Sequence, residues 1–340
     1  MDEWYDILPC LRNKQLLWFA QCNTLFSIVS KRYLQQAQWK KQGLWKLVEK
    51  GDADGVKYLV ERCEADVYTR KDDALQLASH NGHLDVVRFL VECGADVHAH
   101  HGWALRWASW NGHLDVVRFL VEQGADVHAR DIIDNQALQN ASGHGHLDIV
   151  RYLVEKEADV HANDDLALIW ASENGHLDVV RFLVEKGADV HADDDDALQW
   201  ASKNGHLEVV QYLVEKGADV HADDDRALRR ASENGHLEVV RFLMEKGADV
   251  HARDDWALRF AGANGHLEVV KSLVHKGGAN VHARNEEVSR WANEGGHLKV
   301  VRYLVERCEA DLHLALRWAR FYGHMEVVEY LKSKRTFLVE

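Results

Sequence analysis

Histidine recurs at His83, His113, His146, His176, His206, His236, His266, His297 and His324, each after a glycine, in steps of 30 residues except one of 33, one of 31 and one of 27. A second set, His98, His128, His161, His191, His221, His251 and His282, follows an Asp-Val or Asn-Val pair. Imidazole at neutral pH ligates zinc and moves protons, so coordination and acid–base chemistry are the first readings to test. Spacing argues against coordination. Equivalent residues of adjacent repeats stand about 8–10 Å apart when helices stack, whereas zinc needs its ligands about 2 Å from the ion. Only a local set of His191 with Asp193 to Asp196 escapes that objection. Catalysis fares no better, because acids and histidines are copied along the chain and an active site needs one unique arrangement. The sequence holds no Gly-x-Gly-x-x-Gly, phosphate loop, Gly-x-Ser-x-Gly or His-Glu-x-x-His. We therefore assign no catalytic residue, no metal ligand and no cofactor, and expect no enzyme. Titration remains: 22 histidines outnumber a net charge of -14, so mild acid is expected to loosen the hold on a basic partner.

The elements that carry these residues repeat. ENGHLDVVRFLVEKGADVHADDDDALQWAS, from Glu173 to Ser202, returns as ENGHLEVVRFLMEKGADVHARDDWALRFAG from Glu233 to Gly262. Each such unit exposes an apolar face that only its neighbours can cover. About ten units are read over residues 44–335, the first and last degenerate, preceded by a helical segment 1–43 and followed by a tail 336–340. In the unit around Asp195, that aspartate is expected to cap a helix from Asp196 to about Asn204. Asp72, Gly102, Asn135, Asp165, Asp225 and Asp255 hold the equivalent place. Gly205 closes the helix in a left-handed conformation, and a second helix runs from His206 to Gly217. Leu207, Val209, Val210, Leu213 and Val214 fall on one arc at 100° per residue and are assigned to the core, with Ala197, Leu198 and Ala201 facing them.

NGHLEVV, FLVEKGADV and the alanine-rich helix before them resemble the ankyrin repeat, over about residues 44–335. The resemblance implies an all-α repeat solenoid, a stack of helix-turn-helix units whose concave face is lined by first helices. It is similar in particular to the shortened ankyrin repeats abundant in giant DNA viruses of amoebae. It also implies that Leu213, Asp219, Val220 and His221 match a pattern that an asparaginyl and histidyl hydroxylase can modify. The chain departs from the family in lacking Thr-Pro-Leu-His, reading DALQ, RALR and WALR instead, and in its 30-residue period against the usual 33 or so. The missing residues fall in the β-turn finger, so most fingers should be shortened and binding should move to the concave face. One finger escapes: the longer step before His146 places Ile132 and Ile133 on a protruding turn, an exposed apolar contact.

Positions that vary among internal copies are released from stacking and nominate the binding surface. Six residues before the Gly-His histidine stand Leu77, Trp107, Asn140, Trp170, Trp200, Arg230, Phe260, Trp291 and Trp318. Beside them run Gln76, Arg106, Gln139, Ile169, Gln199, Arg229, Arg259, Arg290 and Arg317, and Trp110 adds a further ring. Trp and Arg dominate residues whose truncation weakens interfaces most. The stripe of Arg106, Trp107, Trp110, Trp170, Trp200, Arg229, Arg230, Arg259, Phe260, Trp291 and Trp318 is read as the contact surface for another protein. The alternative is that the rings fill gaps between helices and the arginines pair with carboxylates.

A net charge of -14 disfavours nucleic acid, and the chain is expected to be a monomer that meets a basic protein surface. Five cysteines, an odd number, point to reduced thiols and an intracellular, cytoplasmic location, in a host if the chain is viral. Polar residues interrupt the apolar run from Leu16 to Leu34, so no membrane span is expected. Within residues 1–43, Leu8, Pro9, Val29 to Arg32 and Trp39 weakly resemble an F-box, which implies a link to a cullin-type ubiquitin ligase. A helical cap over the first repeat is the alternative reading of that segment.

Overall fold

A computed structural model describes residues 43–63, 71–129 and 136–337. The chain divides into two compact units, Met1–Asp131 and Ile132–Glu340, and the division falls in the one 33-residue repeat. Every regular element among the described residues is helical. In the first unit Lys71–His80 pairs with Leu84–Glu92, and Ala99–Asn111 with Leu114–Glu122. In the second, the repeat appears as Ala162–Glu173 with Leu177–Glu185, Ala192–Asn204 with Leu207–Glu215, Ala222–Glu233 with Leu237–Glu245, and Ala252–Ala263 with Leu267–His275. Within each unit first helices pack on the first helices of adjacent repeats, and second helices on second. The architecture is the all-α stack of helix pairs that the periodicity predicts.

Core composition follows the 100° arc closely. Val209, Val210 and Leu213 are fully enclosed, as are Ala197, Leu198 and Ala201 of the facing helix. Each Val or Leu so buried contributes about 1.5–3 kcal/mol. Leu207 and Val214, also assigned to the core, are only half-buried, because they lie at the margins of the arc. Ala218 and Val220 complete the buried set from the loop after the second helix.

The shortened finger is built in an unexpected way. Asp193, Asp194 and Asp195 have φ of 50°, 55° and 62°, a three-residue left-handed turn set directly before the right-handed helix. The same turn occurs at 100–102, 163–165, 223–225, 253–255 and 284–286. Such a conformation costs non-glycine residues about 1–2 kcal/mol each, least for Asp and Asn, so something must offset it. In several repeats the residue seven before the Gly-His histidine does so. Arg229 donates from Nε to the Asp224 carbonyl at 3.0 Å and from Nη2 to that of Asp223 at 2.7 Å. Arg259 reaches the Asp254 and Arg253 carbonyls in the same way, and Gln199 Nε2 reaches that of Asp194.

The last residue of the turn corrects the expected cap. Asp195 directs its carboxylate to the backbone N–H of Asp219 in the next repeat at 2.8 Å, and toward Nδ1 of His191, instead of back onto its own helix. Asp165, Asp225, Asp255 and Glu286 make the same pair of contacts, and Asp72 accepts from the Asp96 N–H. Gly102 carries no carboxylate to do this, and Asn135 lies outside the described residues. Burial pushes the Asp195 and Asp225 carboxyls up from their ordinary range, against the opposing pull of these hydrogen bonds.

The Gly-His pair interlocks successive repeats. His206 Nε2 donates to the Glu173 carbonyl at 2.9 Å, His236 to that of Lys203 at 2.8 Å and His266 to that of Glu233 at 2.9 Å. Each ring lies against the glycine of the preceding Gly-His pair, so that a Cβ on Gly205 would stand 2.4 Å from His236 Nδ1. Burial lowers the pKa of His176 and His236, and the backbone hydrogen bond only partly opposes it. Their contribution to stability is therefore complete above the unfolded value of 6.5 and is lost as pH falls through the lower folded values. The urea midpoint should drop between pH 7 and 5, and His236→Gln should shrink that drop. A midpoint constant across this window would contradict the interlock's electrostatics. The raised carboxyls act in the opposite sense and at lower pH, where their protonation favours the folded state.

Candidate protein-interaction face

Within each unit the first helices present their variable residues along one face, and burial splits the predicted stripe into two sets. Arg106, Arg229 and Arg259 are buried, at 6%, 7% and 2% exposure. The last two spend their donors on the left-handed turns, and Arg106 Nη2 reaches the His100 carbonyl at 3.4 Å. These arginines hold the fold, which corrects their assignment as accessible contact residues. Burial also lowers the Arg229 pKa, within a range where it stays charged at neutral pH.

The aromatic half of the stripe stays accessible in part. Trp107 and Trp110 in the first unit are exposed at 37% and 39%, with ring centroids 6.0 Å apart. Trp103, on the same helix, is exposed at 43%. In the second unit Trp170, Trp200, Arg230, Phe260, Trp291 and Trp318 are half-buried. Trp170 rests on Gly143 of the preceding repeat, where a Cβ would come within 3.3 Å of the ring. Trp200 donates from Nε1 to Asp196 at 3.3 Å and is covered by Lys203 at 4.2 Å and Arg230 at 4.4 Å from the ring centroid. Trp256 stacks on Phe260 at 4.4 Å, which meets Trp291 edge-on at 5.1 Å. Ile132 and Ile133 lie outside the described residues, as does most of the 1–43 segment.

The acidic turns form a second band beside this face. Arg253 pairs with Asp223 and Asp224 of the preceding repeat, and Arg284 with Asp254. In the preceding repeat the position equivalent to Arg253 is Asp223, an acid, and Asp193 and Asp194, the equivalents of the partners of Arg253, are exposed. Among the described residues no group of three or more His, Cys, Asp or Glu is arranged to hold a metal, and no helix is long and apolar enough to cross a membrane. Neither Cys93 nor Cys308 is in a disulfide.

Helix pairs stacked on a 30-residue period, alanine-rich first helices and Gly-His interlocks find their counterpart among known families. The family model described as ankyrin repeats, in three copies, matches residues 44–131, 132–194, 189–254 and 257–338. This is an ankyrin-repeat protein. A comparison with curated proteins returns no match. Ankyrin repeats serve as protein–protein interaction scaffolds, and proteins built from them are typically non-catalytic. In this ankyrin-repeat chain the donor role of Arg229 and Arg259 was missed by sequence reasoning, although one signal was present. Position seven before the histidine is an N–H-bearing Gln or Arg in Gln76, Arg106, Gln139, Gln199, Arg229, Arg259, Arg290 and Arg317, with Ile169 the exception.

Proposed function

We propose that the protein is a non-catalytic scaffold that binds a partner protein through the aromatic face of its first helices. The observation that carries this reading is the partial exposure of large rings at a repeat position where the sequence varies, beside positions that every repeat keeps. Trp107, Trp110, Trp170, Trp200, Arg230, Phe260, Trp291 and Trp318 are its contact residues. Partly exposed tryptophans on a rigid helical array offer apolar area at low entropic cost. The net charge of -14 and the acidic turns favour a partner with a basic surface, met in a reducing intracellular compartment by a monomer.

Affinity capture with the intact chain, followed by titration of the recovered partner, tests it. Trp170→Ala and Trp200→Ala should each weaken binding about thirtyfold, the effect of losing an interface anchor. Unchanged affinity in both variants would remove the aromatic face as the binding surface. A second reading rests on the F-box-like residues Leu8, Pro9, Val29 to Arg32 and Trp39, which would recruit a ubiquitin ligase. Cullin-ligase components recovered by the full chain and lost on deleting residues 1–43 would support it, and equal recovery would exclude it.

A further inference from the structure

The protein covers aromatic rings with its own cations. Arg88 stands 4.6 Å from the Phe119 centroid and Arg151 stands 4.8 Å from that of Phe182. On the first helices, Lys203 and Arg230 cover Trp200, and Trp256 has two guanidinium groups, Arg229 and Arg259, each at 5.6 Å.

Trp107 is the repeat equivalent of Trp200, and Trp103 that of Trp256. Here the cations are replaced. Trp110 holds the place of Lys203, and Gln76 holds that of Arg229. Arg106 alone remains, 6.0 Å from the Trp103 centroid. Among the described residues no Lys or Arg stacks on Trp107, which meets only the His80 edge at 5.0 Å and Trp110. Gln76 Nε2 is buried without a hydrogen-bond partner. The carboxylate of Asp73, 42% exposed, lies beside His100 at 3.5 Å.

Resting on the reading of this face as a docking surface, we infer that Trp103 and Trp107 take two arginine side chains of a basic protein segment. The second unit shows the ligand chemistry, because it supplies from within the chain the groups that the first unit lacks. Asp73 and the net charge of -14 complement the incoming cations. The two rings sit four residues apart on one helix, about 6 Å along its axis. Side chains two residues apart on an extended segment are separated by about 6.6 Å, so an Arg-x-Arg spacing matches.

The test uses the full chain and a dye-labelled peptide of Gly and Ser containing one Arg-x-Arg, read by fluorescence anisotropy. Its citrulline counterpart keeps the shape and loses the charge, and should bind about tenfold more weakly. Trp107→Ala should weaken the arginine peptide by about the same factor, while Trp107→Phe retains most of the binding. Trp110→Lys restores the internal cation of Trp200 and should also block the peptide, which keeps the test valid if the alanine variant unfolds. Equal binding of the citrulline peptide, or no response to Trp107→Ala and Trp110→Lys, overturns the inference. If Trp170→Ala and Trp200→Ala release a captured partner while the peptide ignores Trp107, the docking face stands and only this assignment falls. If none of the four variants changes either measurement, both fall.

Discussion

Gly205→Ala is expected to lower the stability of the second unit by about 3–4 kcal/mol, while Gly323→Ala lowers it by only about 1–2 kcal/mol. The two glycines share a conformation, with φ, ψ of 79°, 21° and 79°, 17°, so alanine meets the same left-handed penalty at each. Their surroundings differ. A Cβ on Gly205 would stand 2.4 Å from His236 Nδ1, whereas one on Gly323 has nothing within 4 Å. Relieving the overlap at Gly205 means displacing the His236 ring and breaking its 2.8 Å hydrogen bond to the Lys203 carbonyl, which adds the loss of a partly buried interaction to the backbone strain. Urea unfolding of the full chain, with helicity as the readout, compares the pair. Equal losses would mean that the glycine is kept for its dihedral angles alone and that the histidine ring has room to move.

That pair also marks how far the sequence could be read. Gly205 is legible as a left-handed helix end because the reason is local, the missing Cβ. Val209, Val210 and Leu213 are legible because burial imprints a 100° period on the second helix. The ring of His206 is a different matter. Its purpose lies in a carbonyl 33 residues earlier, and no local rule connects them. The run Asp193 to Asp195 misleads for the same reason. As a string it reads as a solvated cap, yet Asp195 is buried and belongs to the next repeat's Asp219, and the turn around it is held by Gln199. The aromatic stripe was legible as a set of varying positions, but variation could not separate Trp107, which is exposed, from Arg259, which is not.

Arg259→Ala is expected to destabilise the second unit by about 3–5 kcal/mol, as is usual when one partner of a buried charged pair is removed. The side chain is 3% exposed and every part of it is engaged. Nε and Nη2 hold the carbonyls of Asp254 and Arg253, Nη1 bonds the Glu287 carboxylate, and the guanidinium plane lies 5.6 Å from the Trp256 centroid and 5.5 Å from that of Trp291. Truncation leaves Glu287, whose side chain is 14% exposed, with Arg290 as its remaining partner at 3.0 Å, and leaves a left-handed turn with nothing to offset its strain. Lysine does not rescue it, because a single ammonium cannot reach two carbonyls and a carboxylate in the geometry of the guanidinium fork. Arg259→Met combined with Glu287→Leu should recover little, because methionine brings no donor to the two carbonyls and leucine takes away the carboxylate that Arg290 also holds at 3.0 Å. The measurement is again the urea midpoint, set beside partner affinity. Stability within about 0.5 kcal/mol of wild type, with affinity lost, would return Arg259 to the contact surface. With stability lost as expected, any fall in binding at Arg229 or Arg259 reports a collapsed turn, and the partly exposed residues of the face, the tryptophans with Arg230 and Phe260, are the ones that reveal what it touches.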